Sequence, residues 1–89
     1  MKERTVLINN QDGLHARAAA LFVQVANKFS CNVYLEFDGK RVDGKSIIGV
    51  MSLGAFAGEE IKIITNGVDE DKALEELTSL VTEDIKDLI

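Results

Sequence analysis

Chemistry in this 89-residue chain concentrates in Gly13-Leu14-His15-Ala16-Arg17, which holds the only histidine. A neutral imidazole nitrogen is a competent nucleophile, and a reference pKa of about 6.5 leaves much of it neutral near pH 7. The segment lies where a loop reading, Asn9 to Gly13, gives way to a helical one from Ala16. The first N–H groups of a helix lack intrahelical partners and the dipole is positive there, so an anion such as a phosphoryl group is attracted. The N–H groups of Ala16 and Arg17 would serve that role, and the Arg17 guanidinium can hold phosphoryl oxygens through two N–H bonds. Gly13 allows close backbone approach. A lone histidine in a loop more often has no chemical role, and spacing alone does not raise this one above that.

The second segment is Gly44-Lys45-Ser46-Ile47-Ile48-Gly49-Val50-Met51-Ser52-Leu53-Gly54. Its plain reading is a short helix capped by Ser46. Its functional reading is a phosphorylation switch at Ser46, because a phosphate at a helix N-terminus is tolerated and adds about −1.5 to −2 charges. Ile47, Met51 and Leu53 fit either the core or an exposed contact patch, since a short helix cannot bury all its apolar groups.

The elements around these segments follow from periodicity. Thr5-Val6-Leu7-Ile8 reads as a strand. Ala18, Leu21, Phe22, Val25, Ala26 and Phe29 form a helical stripe. Val33, Leu35 and Phe37 alternate with Tyr34 and Glu36 as a half-buried strand. Asp38-Gly39 signals a tight hairpin, returning as a charged edge strand Lys40-Arg41-Val42. Glu60 to Thr65 reads as a strand with Ile61 and Ile63 on one face, and Asn66-Gly67 turns the chain. Asp69 can cap a last helix whose stripe is Ala73, Leu74, Leu77, Leu80, Val81, Ile85 and Leu88. The order is β-α-β-β-α-β-α. One sheet with all three helices on one face is the economical packing, its other face meeting water.

Composition limits the alternatives. With 46% apolar residues, no proline and no Gly/Ser-rich linker, residues 1–89 read as one domain. No second histidine, cysteine pair or carboxylate cluster accompanies His15, so neither a metal nor another cofactor is expected, and no nucleotide-binding loop is present. The single cysteine, Cys31, reads as a buried free thiol in a reducing compartment. No apolar run reaches the roughly 20 residues of a transmembrane helix, and Met1-Lys2-Glu3-Arg4 opens no signal peptide, so a cytoplasmic protein without membrane insertion is expected. The net charge of −5 argues against nucleic-acid binding. Residues 1–58 hold seven Lys/Arg and five Asp/Glu, whereas residues 59–89 hold three and ten. Arg17, Lys28, Lys40, Arg41 and Lys45 could therefore form a basic rim for an acidic partner.

At the two segments, and nearly end to end, the chain resembles HPr, the histidine phosphocarrier family of the bacterial sugar phosphotransferase system. The resemblance implies an α+β open-faced β-sandwich, a four-stranded antiparallel sheet covered by three helices. It implies that His15 Nδ1 accepts a phosphoryl group from phosphorylated enzyme I and passes it to IIA domains of sugar permeases, assisted by Arg17 and without a metal. It implies docking through Ala20, Ile47, Ile48, Met51 and Gly54. It also implies regulation at Ser46 by HPr kinase/phosphorylase, with a catabolite-control transcription factor as a further partner. A carrier that exchanges partners is expected to be a monomer. The chain departs from the family at Ala18, where proline is usual; alanine restores one N–H donor and keeps helix propensity. The family's regulatory paralogue lacks the active histidine, which is present here. Two other readings stand beside the carrier: a regulatory binding module acting through Ser46, and a small-ligand domain whose helix N-terminus binds an anion without covalent chemistry.

Overall fold

The computed structural model describes residues 1–9, 14 and 16–82. Seven elements follow in the expected order: β1 (Lys2–Leu7), α1 (Ala16–Ala26), β2 (Asn32–Phe37), β3 (Lys40–Asp43), α2 (Ile47–Ser52), β4 (Glu60–Asn66) and α3 (Glu70–Thr82). The strands form one antiparallel sheet in the order β1-β4-β2-β3. The result is the open-faced α+β sandwich that the resemblance implied.

The core lies between the sheet and the helices. Val33 and Leu35 of β2 and Ile61 and Ile63 of β4 meet Ala18, Ala19, Phe22 and Ala26 of α1, Val50 of α2, and Ala73, Leu74, Leu77 and Val81 of α3. The stripes read from periodicity are these residues, with Leu21, Val25 and Leu80 only partly covered. Phe29 is buried beyond the end of α1. Ile85 and Leu88 lie outside the described residues.

Local chemistry explains the hairpin. Asp38 has φ 52° and Gly39 φ 80°, the pair of positive values that a two-residue turn matched to the strand twist requires. It delivers β3 to the sheet edge, as its charge suggested. The first strand differs from its reading: it starts at Lys2 rather than Thr5. Pairing runs from Lys2 opposite Thr65 to Leu7 opposite Glu60, and only Val6 is buried. An edge strand is held by backbone ladders, so polar residues extend it without leaving an apolar trace.

Two further differences concern burial. The face away from the helices is not wholly wet, because Ile64 is fully buried on it, between Glu3 of β1 and Tyr34 of β2. In addition, the Asp69 side chain does not cap α3. Its carboxylate accepts the N–H groups of Ser30 and Cys31, both at 2.9 Å, and so ties the α1–β2 connection to the start of α3. Glu70 reaches back instead, accepting the Gly67 N–H at 3.0 Å. Gly67 has no alternative here, since an added Cβ would stand 2.7 Å from Cys31 Cα.

The Asp69 clasp has a measurable signature. The Ser30 N–H first, then the Cys31 thiol and N–H, hold its carboxyl below the usual range. Its ordinary value is about 3.9, so the stabilisation is complete above that pH and is lost as pH falls through the lower folded value. Asp69→Asn is expected to lower the melting temperature at pH 7 and to flatten the loss of stability below about pH 4. Thermal melts of both proteins across acid pH check this. An acid profile identical in the two would assign the loss to other carboxylates. Cys31 itself is buried and free, and burial, followed by the neighbouring Asp69, pushes its thiol up.

Candidate functional site

Helix α1 begins at Ala16, the residue after His15 in the sequence. His15 lies outside the described residues, as do Gly13 and the rest of residues 10–13. Arg17 is exposed in the first turn, and that turn carries no acidic residue to oppose an anion. Ala18, at the position of the family's usual proline, is buried against the core.

Leu14 connects the two segments. Its side chain is buried, and its N–H donates to the Ala55 carbonyl at 3.1 Å. The chain just before α1 is thereby tied to the residue following Gly54. The end of β1 is fastened nearby: the Ile8 N–H donates to Glu59 O, the Gly58 N–H to Ile8 O, and the Asn9 N–H to Val81 O of α3. Sequence reasoning missed Leu14 and Ala55 as positioning residues, because their link is a backbone bond between distant loops.

Ser46 stands at the N-cap of α2. Its backbone is extended (φ −109°, ψ 119°), and its Oγ accepts the Gly49 N–H at 3.2 Å, as the capping reading required. Gly49 lies on close backbone contact: an added Cβ would come within 3.2 Å of the Asp43 carbonyl. At the other end of the helix, Lys40 Nζ donates to the Ser52 carbonyl at 3.0 Å, and Ser52 Oγ donates to the Gly49 carbonyl at 2.7 Å.

Within α2 only Val50 is buried, and Leu53 follows it into the core. Ile48 is 78% exposed, while Ile47 and Met51 are nearly 40% exposed. The helix thus turns three large apolar side chains outward, at the cost of leaving them in water. Ala20 on α1 and Gly54 after α2 are exposed as well. Phe56, in the loop that follows, is 54% exposed, a feature that periodicity does not reveal. An aromatic ring among glycines and alanines was the signal that could have marked it.

The expected basic rim is divided. Lys45 is half-buried, its Nζ donating to the Phe29 carbonyl at 2.7 Å. Arg41 pairs with Glu36 at 3.0 Å and lies over the Tyr34 ring, and Lys40 holds the end of α2. Arg17 and Lys28 are exposed, and among the described residues neither forms an ion pair.

A helix start bearing an arginine, tied through Leu14 to an apolar helix capped by serine, on an open-faced sandwich, defines a small phosphocarrier-like domain. The family model for the PTS HPr component phosphorylation site matches residues 2–83, and the chain belongs to the PTS-HPr family, the phosphocarriers of the phosphotransferase system. Members of this family are not enzymes. The chain is 48% identical over 85 residues to the HPr-like protein Crh of Bacillus subtilis (strain 168), covering 96% of this chain and 100% of that protein. The phosphocarrier protein HPr from Bacillus anthracis str. Ames superposes with a TM-score of 0.88 at 46% identity, over 90% of this chain and 95% of that one. The catabolite repression protein Crh of Bacillus subtilis, a dimer with a swapped domain, superposes with a TM-score of 0.74 at 49% identity, over 91% and 93%. That dimer stands against the expectation of a monomer. Among the described residues no helix is long and apolar enough to cross a membrane.

Proposed function

We propose that residues 1–89 form one cytoplasmic carrier domain that takes a phosphoryl group on His15 Nδ1 from phosphorylated enzyme I and delivers it to IIA domains of sugar permeases. In each step one bond to phosphorus forms as another breaks: first Nδ1–P forms while the donor bond opens, then Nδ1–P opens to the acceptor. The Ala16 and Arg17 N–H groups and the Arg17 guanidinium hold the phosphoryl oxygens. The observation that carries this reading is the Leu14–Ala55 hydrogen bond, which fixes the chain beside His15 against the end of the α2 segment. A partner docked on Ala20, Ile47, Ile48, Met51 and Gly54 would then meet the carrier residue at a set offset.

The relatives named Crh favour a second reading, a regulatory module in which Ser46 is the modified residue. One experiment separates the two. The protein is incubated with phosphoenolpyruvate and enzyme I, or with HPr kinase/phosphorylase and ATP, and the modified residue is mapped. Acid-labile label on His15 supports the carrier. Acid-stable label on Ser46 alone supports the module, which would serve a catabolite-control transcription factor. No label in either reaction leaves non-covalent anion binding.

A modification of Ser46 would act on the carrier through its docking surface. A phosphate on Ser46 sits at a helix N-terminus, which tolerates it, yet places about −1.5 to −2 charges beside Ile47 and Ile48. Ser46→Asp is expected to slow phosphorylation by enzyme I about tenfold, an increase of about 1.4 kcal/mol in the barrier. Initial rates at low salt check this, and a rate equal to the unmodified protein's removes the repulsion argument.

A further inference from the structure

We propose that the groove between α1 and α3 is a second docking surface, which takes a cationic amphipathic segment of a partner protein. The groove has a volume of about 420 Å³ and is lined by Val25 of α1 and by Glu75, Glu76, Ser79 and Leu80 of α3. Val25 and Leu80 pack against the core yet stay partly uncovered, which gives the groove an apolar floor. That volume is in the range that holds a large apolar side chain and its neighbours.

The charge of the rim sets the partner's sign. Acidic residues elsewhere on α3 are answered within the chain: Glu70 by the Met1 ammonium at 3.3 Å and Asp71 by Lys2 at 3.5 Å. Glu75 and Glu76 are exposed, and among the described residues neither has an ion-pair partner. An apolar floor beside two unanswered carboxylates complements a helix carrying leucine-like anchors flanked by lysine or arginine. The same charge disfavours two other occupants. A two-fold contact between copies would set Glu75 and Glu76 against themselves. Residues 83–89 carry Glu83, Asp84 and Asp87 against Lys86 alone, and so share the rim's sign. Val25 lies nine residues along α1 from Ala16, about 13 Å at 1.5 Å per residue.

The test titrates the isotope-labelled full chain with a lysine–leucine amphipathic helical peptide at low salt and follows backbone amide shifts. Shifts centred on Val25, Glu75, Ser79 and Leu80 are expected. Affinity should fall at least about tenfold in Glu75→Gln/Glu76→Gln, and again when the peptide's leucines become serine. Both substituted residues are exposed, so the fold is retained, and the unchanged spectrum of the sheet verifies it. Shifts spread over Asp71 or over Ile47–Met51, or equal affinity in the variant, would overturn the proposal. So would concentration-dependent dimerisation lost in Leu80→Ser, or a groove that binds the peptide only after truncation at Thr82.

Discussion

His15→Ala is expected to reduce enzyme I-dependent phosphorylation to background while leaving the melting temperature within a few degrees. The loss is complete because the chain holds no second histidine to take over, and neither Arg17 nor a backbone N–H is a nucleophile. Arg17→Ala should act differently. It keeps the proposed nucleophile and removes the charge-assisted, two-bond contact proposed for the phosphoryl oxygens, an effect on the order of 10²- to 10³-fold if that contact tightens in the transition state. The contrast is informative in itself. A defect in Arg17→Ala confined to KM would mean that the arginine only binds the donor, whereas a defect in kcat places it on the transferring group. Acid-labile radiolabel in His15→Ala equal to that of the wild type would sink the carrier reading outright.

Phe22→Ala is the substitution with the largest expected effect on stability. Phe22 is fully buried in α1, with its ring edge facing Gly44, where an added Cβ would stand 3.2 Å from Phe22 Cε1 and 2.6 Å from Val33 Cγ1. The first glycine of the α2 segment is thus there to let β2 and α1 close over it. Removing the ring leaves a cavity that rigid neighbours cannot fill, at about 3–5 kcal/mol. A domain of this size has on the order of 5–15 kcal/mol in total, so the melting temperature should drop by at least about 12 °C. Ile48→Ala is the matched control. Its side chain is 78% exposed, and the change should stay within about 0.5 kcal/mol. Urea unfolding of the three proteins measures both. A comparable loss in Ile48→Ala would mean that Ile48 is covered in solution and is no docking residue.

The signals that proved legible were local ones. Ser46 was readable as a cap because capping depends on residues three apart, and Asp38-Gly39 because the turn itself demands those conformations. The stripes of α1 and α3 were readable because one face of each helix meets one core. What sequence did not show depends on distant partners. Asp69 has the composition and position of an N-cap, yet the Ser30 and Cys31 amides compete for its carboxylate and win. Lys45 reads as a surface cation, but the Phe29 carbonyl draws its ammonium inward. Ile64 reads as solvent-facing from its parity, but β4 is an interior strand and its flanking neighbours close over it. At the candidate site, pattern alone leaves open whether Ile47, Met51 and Leu53 face the core or a partner. It is decided by Val50 and Leu53 taking the inward positions of a helix only six residues long.

The uncovered side of the sheet also guards folding fidelity. Register places Thr5, Lys62, Glu36 and Arg41 in one row across all four strands, so charges alternate from β4 to β3. A one-residue slip between strands would invert every side chain and expose the core, and apolar patterning alone forbids it. A two-residue slip keeps the apolar faces correct and needs a different safeguard. Sliding β2 along β4 in one direction brings Glu36 opposite Glu60, and in the other opposite Ile64; either takes Glu36 away from the position opposite Lys62. The row works as a key for aligning β2 against β4 and β3, and it penalises misfolded pairings of those strands that burial cannot tell from the native one.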